Sequence, residues 1–341
     1  MKRTLMTLMA VLMLGTGFAQ VLSTTDAALV YYMPKNLLAF DVEYTETVCT
    51  QGPFYQYAER YLGTKDVVMA DETRYELTDV KMDTKTVADK NRAYVYSLSK
   101  NQRACLTLDQ KGILVAYNAD APESKAKPNK RYDKKERKES VLAPLSEETL
   151  LATSKAKMAE STAKQIYRIR EARTNLLAGD VDRLPADSKA LALTLQKLDD
   201  EEEALVKLFV GEKQVQVKHK IIYVEPEHDV TDSTLLRFSR YAGPVAADDM
   251  SGEPIVLTLT VRKQVLAEST DKKQVPLSEI YYNLPGDVTV VLTDADGNEL
   301  VNKELPIAQL GVSVALPQSL ISRKPHILFD PKTGAIISIN E

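Results

Sequence analysis

Four aromatic rings stand within eight residues in the segment QGPFYQYAERYLG, residues 51–63, next to a glutamate and an arginine. Exposed rings beside a carboxylate and a guanidinium can stack on a sugar and hydrogen-bond to it. On a helix of about 3.6 residues per turn, however, most of these rings share one face, which predicts a short helix over 53–62 packed on the first β unit. Tyr55 lies at the edge of that face, so the candidate binding residues are Tyr55, Glu59 and Arg60.

The chain has two cysteines, Cys49 and Cys105. Both fall on the polar side of their expected strands, and an oxidising compartment would permit a disulfide between them; two unpaired thiols are the alternative. Two cysteines do not complete a structural zinc site. His219, His228 and His326 show none of the spacings of zinc motifs. We therefore expect no metal site and no cofactor.

Two acidic stretches resemble cation sites but do not meet their requirements. The stretch DADGNE at 294–299 begins like a calcium loop, yet its glycine is fourth instead of sixth and a proline falls near the expected bidentate glutamate. It predicts a hairpin turn. The acidic run Asp199 to Glu203 occupies successive helical positions that point around the helix, which predicts a solvated face.

Catalytic signatures are weak throughout the chain. Ser154 to Lys157 contains an S-x-x-K pattern, but it falls on a predicted helix surface and lacks companion motifs. Phosphate loops and dinucleotide fingerprints are also missing. Paired carboxylates for hydrolysis of a glycan remain open, because 48 acidic residues are available and sequence does not show their separation. The chain is more simply interpreted as non-catalytic.

Residues 1–19 carry the pattern of a signal peptide: Lys2 and Arg3, then an apolar stretch too short to span a bilayer, then small residues before a cut. Export to the periplasm is expected, with secretion as the alternative. Removal of this segment leaves 42 basic and 48 acidic residues, a net charge of 42 − 48 = −6. That charge argues against nucleic acid as a partner, and the remaining chain is not expected to span a membrane.

Residues 20–120 are predicted to form an antiparallel β domain. In NLLAFDVEYTETVC, residues 36–49, apolar side chains alternate with polar ones, as in a half-buried strand. A turn at 109–112 would join two further strands as a hairpin. The following stretch, 121–145, breaks every periodicity and is rich in lysine and arginine. It predicts a flexible basic linker, with a contact to an anionic envelope polymer or to lipid headgroups as the alternative.

Residues 146–211 are predicted to form an antiparallel helical hairpin. A helix starts at Ser146 and stops at Gly179, and a second one ends at Gly211 after a short connection. On the first helix, Arg168, Arg170 and Arg173 of RIREAR are expected to form surface ion pairs with Glu160 and Glu171, with an anion site as the alternative.

Residues 212–341 return to short strands rich in β-branched residues and separated by Gly, Pro or Asp, which predicts a sandwich-like C-terminal β domain. The whole chain is therefore α+β. Two similar segments, Tyr31-Tyr32-Met33-Pro34 and Tyr281-Tyr282-Asn283-Leu284-Pro285, would mark strand entries in the two β units. Their rings are expected to pack in the core; exposed rings that contact carbohydrate or protein are the alternative.

Several longer strings resemble one known family when taken together. They are YYMPKNLLAFDVEYTET (31–47), GPFYQYAERYLG (52–63), RIREARTNLLAGDVDRLPADSKALALTLQKLDDEEEALVKLFVGE (168–212), YYNLPGDVTVVL (281–292) and AQLGVSVALP (308–317). The set resembles a family of exported Bacteroidetes-type proteins catalogued as a domain of unknown function. The resemblance implies a signal peptide, an envelope location and the β, helical hairpin, β order, and it carries no catalytic residues.

Two functional hypotheses follow. The first is a non-catalytic structural or binding protein of the cell envelope that contacts a partner protein or an envelope glycan. The second is an envelope hydrolase that uses paired carboxylates on glycan or peptide, and it requires a concave pocket with converging carboxylates.

Overall fold

A computed structural model describes residues 27–98, 106–120, 143–180, 187–263 and 279–340 of the chain. The predicted signal segment and most of the predicted basic linker lie outside these ranges. The described part is α+β, as the sequence predicts, with antiparallel strands before and after a pair of long helices.

The strands, in chain order, are β1 (Ala27–Thr50), β2 (Glu72–Leu98), β3 (Leu106–Leu108), β4 (Leu114–Tyr117), β5 (Glu212–Val224), β6 (Val230–Ser239), β7 (Gly243–Val245), β8 (Glu253–Lys263), β9 (Tyr281–Thr293), β10 (Glu299–Ala315), β11 (His326–Phe329) and β12 (Ile336–Asn340). The helices are α1 (Ala58–Leu62), α2 (Glu147–Leu150), α3 (Lys155–Ala178), α4 (Ser188–Val210) and α5 (Gln318–Ile321).

Strand β1 lies at the centre of a three-stranded sheet in the order β2-β1-β5. It pairs with β2 along almost its whole length, and its second half pairs with β5 from Leu38 opposite Val224 to Thr50 opposite Glu212. The alternation predicted for this strand is confirmed, because Leu38, Phe40 and Val42 are all fully buried.

The buried face of this sheet packs against a five-stranded antiparallel sheet in the order β10-β9-β8-β6-β7. In β9, Val288, Val290 and Leu292 alternate toward the shared core and are fully buried. The two sheets thus enclose the main hydrophobic core between them, which is the packing expected of a β-sandwich.

A third sheet, in the order β12-β11-β4-β3, joins strands from both ends of the chain. The predicted hairpin at 109–112 connects β3 to β4, and Gly112 closes it with a positive φ of 80°. Strand β4 then pairs with β11, more than 200 residues later in the sequence. Strands from both predicted β units therefore share sheets. The division of the chain into domains remains a prediction.

The two long helices form the predicted pair, with one change at the start. The Ser146 side chain accepts a hydrogen bond from Thr149 N, but the helix that it caps, α2, ends at Leu150. Ser154 then caps α3 by accepting from Lys157 N, so the predicted single helix from 146 is wrong. A second N-cap hydroxyl restarts the helix because it satisfies amides that have no partner in the preceding turn. Gly179 ends α3 in the left-handed conformation, as predicted.

A buried polar junction fixes β1, β2, β9 and β10 relative to one another. Arg92 donates to Asp89, to the carbonyls of Pro34 and Ala308, and to the side chain of Asn283. Asn283 is fully buried and donates to the carbonyls of Ala308 and Thr333. Because buried polar groups are costly when unpaired, this set of bonds selects one arrangement of the strands.

The substitution Asn283→Ala tests the junction. It leaves the Thr333 carbonyl without this donor and the Arg92 guanidinium without one acceptor, so we expect a loss of about 2 to 3 kcal/mol in unfolding free energy. Urea denaturation measures the loss. The control is Asn302→Ala on β10, whose amide is exposed and should matter by less than about 0.5 kcal/mol. Equal losses in the two variants would contradict the role of the junction.

Candidate functional site

The aromatic segment 51–63 forms the predicted short helical element, but it packs against a different part of the fold from the one expected. A 3₁₀ turn at Tyr55–Tyr57 leads into α1, and Gly63 ends the helix with a φ of 70°. The segment packs on α3 and α4, not on the first β unit. Phe54 N donates to the carbonyl of Leu208 at 2.8 Å, and the ring of Phe54 lies 5.4 Å from that of Phe209 between centroids.

Glycine at position 52 explains why this contact is possible. A Cβ there would lie 2.5 Å from the carbonyl oxygen of Leu208, so only glycine lets the segment approach the end of α4 so closely. The sequence shows the rings and their face, but it does not show which element covers them.

Glu59 and Arg60 are exposed on the outer side of this segment, as predicted, whereas Tyr55, predicted at the edge of the buried face, is half-buried. The Tyr55 hydroxyl accepts a hydrogen bond from the side chain of Gln56 at 3.0 Å. Glu59 pairs with Lys65 at 3.2 Å, and the Arg60 guanidinium lies 5.4 Å from the centre of the Tyr61 ring. Both charged groups thus contact residues close by in sequence, and a binding role for the three residues remains a prediction.

The predicted acidic run and the arginines of RIREAR meet across the two long helices. Arg170 pairs with Glu202 at 2.6 Å, and Arg173 pairs with Asp199 at 2.7 Å and with Glu202 at 3.2 Å. These arginines pair with α4 and not with Glu160 and Glu171 of their own helix as expected, because α4 presents its carboxylates directly opposite them. Glu160 pairs with Lys164 instead.

These charges line an open groove of about 380 Å³ between α3 and α4. Each of the two contacting carboxylates, Asp199 and Glu202, faces a guanidinium, so ion pairs connect the two helices across this groove. Within the described ranges, His, Cys, Asp and Glu do not gather in groups of three or more that could hold a metal ion.

The stretch 294–299 is the predicted turn. The Asp294 carboxylate accepts hydrogen bonds from the amides of Asp296 and Asn298, and Gly297 adopts a φ of 83°. Its carboxylate thus binds the backbone of its own loop, as in a tight β-turn.

The two tyrosine-rich segments meet in a second core. Tyr31, Tyr94 and Tyr281 stack in a row, with centroids 5.7 Å and 4.7 Å apart. The Tyr31 hydroxyl accepts from the amide of Tyr281 at 2.7 Å. Tyr281 begins β9, as predicted, whereas Tyr31 lies inside β1 and not at its entry. Tyr31 is fully buried, which confirms core packing for that ring. The crevice beside the stack is too narrow for a water molecule.

A more extended surface is the exposed side of the β2-β1-β5 sheet, which we call the outer face. The cross-strand register places Asp41 between Lys81 on β2 and Ile221 on β5. Side chains alternate along each strand, so the neighbours two residues away point to the same side. The outer face comprises Asp79, Lys81, Asp83 and Lys85 from β2, Ala39, Asp41 and Glu43 from β1, and Val215, Val217, His219, Ile221 and Tyr223 from β5.

Apart from His219, the β5 column of the outer face is apolar and open to solvent. Val215, Val217, Ile221 and Tyr223 are 64%, 59%, 46% and 48% exposed. Single exposed apolar residues are ordinary, but four on one face of one strand form a stripe. The largely buried His219, which contacts Asp41, interrupts it between Val217 and Ile221. Alternation in QVQVKHKIIYV would suggest that these valines face a core, and the structure shows the opposite.

The β1 and β2 side chains of the outer face are mostly polar and form ion pairs with their neighbours. The Asp41 carboxylate lies 3.1 Å from His219 Nδ1. Hydrogen bonds to Asp79 and to Glu43 raise the pKa of Lys81 above its ordinary value. The Lys85 ammonium lies 4.7 Å from the centre of the Tyr223 ring, which joins the charged side of the face to the apolar side. The outer face is thus divided lengthwise into a charged half and an apolar half.

Cys49 is buried near the end of β1. Cys105 lies outside the described residues, so the disulfide between them remains a prediction.

The aromatic segment is tested by comparing two of its rings. Phe54 is 3% exposed, so Phe54→Ala should cost about 3 to 5 kcal/mol of unfolding free energy. Tyr55→Ala removes a half-buried ring and should cost no more than about 1 kcal/mol. Chemical denaturation of both variants gives the comparison. A larger loss for Tyr55→Ala than for Phe54→Ala would show that the segment packs in another way.

The tyrosine stack predicts a loss of stability at alkaline pH. Burial and a hydrogen bond to Glu279 raise the pKa of Tyr281 from 10.0 to about 12. Between these values the folded chain holds more protons than the unfolded chain, so the unfolding free energy falls as pH rises. The substitution Tyr281→Phe keeps the ring and removes this titration, so the variant should lose less stability over that interval. Tyr241→Phe, at a 79% exposed ring, is the control; a decline with the wild-type slope in Tyr281→Phe would refute the prediction.

None of the helices in the described ranges has the length and apolar character needed to cross a membrane. Residues 27–337 match a family model described as a domain of unknown function, DUF4831. No curated protein and no solved structure matches the chain. The family match spans all three sheets and both long helices, and we conclude that the chain belongs to the DUF4831 family.

Proposed function

We propose that this chain is an exported, non-catalytic binding protein of the cell envelope, and that it binds a partner protein through the outer face. The observation that carries the proposal is the exposed stripe of Val215, Val217, Ile221 and Tyr223 on β5. Export is supported by the signal-peptide pattern of residues 1–19, and an envelope location by the resemblance to exported Bacteroidetes-type proteins. The periplasm is the proposed compartment.

The apolar half of the outer face supplies affinity. Covering each of the four exposed side chains would contribute on the order of 1 kcal/mol from apolar area removed from water. A soluble protein that leaves such a stripe uncovered gains stability when a partner buries it. The stripe lies on a regular strand, so its backbone is already ordered and binding need not order it.

The polar half supplies selectivity. Asp79 and Glu43 hold the Lys81 ammonium at 2.9 Å and 3.1 Å, and Asp41 contacts His219. A partner that covers the apolar stripe must present compatible charges next to it, because mismatched charges beside an interface cost affinity. These ordered pairs therefore restrict which surfaces can bind.

The composition of the stripe favours a protein over a glycan. Sugars stack on flat aromatic rings, and three of the four stripe residues are branched aliphatic ones. The single ring, Tyr223, already has the Lys85 ammonium 4.7 Å from its centre. Aliphatic side chains of a partner protein pack on such a surface through dispersion and burial.

The experiment uses a tagged wild-type chain expressed in its source cells, chemical crosslinking, and recovery from the envelope fraction. The double substitution Val217→Lys and Ile221→Lys places charges in the stripe. We expect recovery of the specific crosslinked partner to fall by about tenfold, which corresponds to about 1.4 kcal/mol. Thermal melting of the purified variant checks that it folds.

The control is Leu193→Lys, at a side chain on α4 that is 57% exposed and distant in the fold from β5. Its recovery should equal that of the wild type. The proposal fails if the stripe variant recovers the same partner as efficiently as the wild type, if the tagged chain fractionates with the cytoplasm, or if a glycan is the species lost.

A further inference from the structure

Resting on the function proposed above, we infer that the open edge of β5 accepts an extended segment of the partner protein as an added strand. The segment that fits alternates apolar residues with acidic ones. The apolar residues of the segment would lie beside the valines of the outer face. Its acidic residues would lie beside the lysines on the other face of β5.

The first observation is the position of β5 in its sheet. It lies at the end of the order β2-β1-β5 and, within the described ranges, pairs with β1 alone. A strand at a sheet edge presents backbone N–H and C=O groups that another strand can pair with. β5 is 13 residues long, long enough to bind an extended segment by backbone hydrogen bonds.

The second observation is that the two sides of β5 differ in chemistry. Val215, Val217 and Ile221 are exposed on the outer face. On the opposite side the strand carries Gln214 and Gln216 and then Lys218 and Lys220 before it turns apolar at its end. An added strand would have every second side chain beside the valines and the remaining ones beside the lysines.

The third observation is charge. The Lys220 ammonium donates to the neutral carbonyl of Pro244 at 3.0 Å, a contact that leaves its charge uncompensated. Lys218, on the same side as Lys220, pairs with Glu46, whereas Lys213 lies on the side of the valines, is exposed and lies 3.8 Å from Asp66. Lysines on an edge strand discourage pairing with neutral or basic strands, and the same charges attract a strand with carboxylates at the adjacent positions.

This charge pattern also argues against a second copy of the chain as the occupant. In a symmetric antiparallel pairing centred on β5, Lys218 lies opposite Lys218 or Lys220 of the other copy. Like charges directly opposite one another destabilise a strand pair. A partner segment with glutamate or aspartate at these positions reverses the sign of the interaction.

The probe is a labelled ten-residue peptide in which valine and glutamate alternate, with a valine–lysine peptide as its counterpart. Binding to the full chain is measured by fluorescence anisotropy. We expect the acidic peptide to bind at least about tenfold more tightly than the basic one. Lys220→Glu should remove that preference, whereas Lys197→Glu on the exposed surface of α4 should leave it unchanged. Equal binding of the two peptides would overturn the inference.

Backbone pairing is tested with N-methylated forms of the acidic peptide. Methylation of every amide blocks both edges of a strand, and methylation of alternate amides blocks only one. The fully methylated peptide should lose binding, while at least one of the two alternately methylated isomers should retain it. Retained binding by the fully methylated peptide contradicts strand addition, because contact through side chains alone does not need the amides.

Sedimentation of the wild-type chain tests the competing occupant. A monomer agrees with the inference, whereas a dimer that Val217→Lys dissociates would assign the edge to a second copy and overturn it. Failure here is distinguishable from failure of the proposed function. Partner recovery that depends on the stripe, together with loss of the peptide preference, would keep the binding role and reject the added strand.

Discussion

Strand β1 has two edges and two faces. Both edges are paired with other strands, and one of the two faces is buried. Its edges pair with β2 and β5, and one face, with Phe40 at its centre, forms part of the main core. The fourth side belongs to the outer face, and the pairing of β1 with β5 decides which residues lie next to it there. Because β5 is recruited from after the helical pair to fill the second edge of β1, it becomes the new edge of the sheet and carries its valines on the uncovered side.

The buried junction around Arg92 and Asn283 keeps this arrangement in register. It joins β1 and β2 to β9 and β10 by hydrogen bonds that a shifted pairing would break. The tyrosine stack adds a second fixed contact, since the Tyr31 hydroxyl bonds the first residue of β9. A surface used for binding is best held on well-fixed elements, and these two contacts anchor the first half of β1, whose second half carries the outer face.

Local features of the fold could be predicted from the sequence, and long-range pairings could not. The alternation around Phe40 follows from the two-residue period of a strand, and the helix end at Gly179 follows from the left-handed conformation that glycine adopts. Both can be predicted from residues close in sequence. The ion pairs of Arg170 and Arg173 depend on which helix faces them, and Phe54 packs on α4 because Gly52 permits a close approach. For Val215 and Val217 the alternation is real, but the side that is buried is set by β1, which the sequence of β5 does not contain.

The central claim is that β5 offers an open edge, and residue-resolved hydrogen exchange of the protein alone tests it most directly. In an edge strand, successive amides point alternately toward the paired neighbour and toward solvent. The account predicts alternating slow and fast exchange from Gln214 to Tyr223, with slow exchange at every amide of the facing half of β1. Uniform slow exchange along β5 would show that its edge is already covered and would contradict the account.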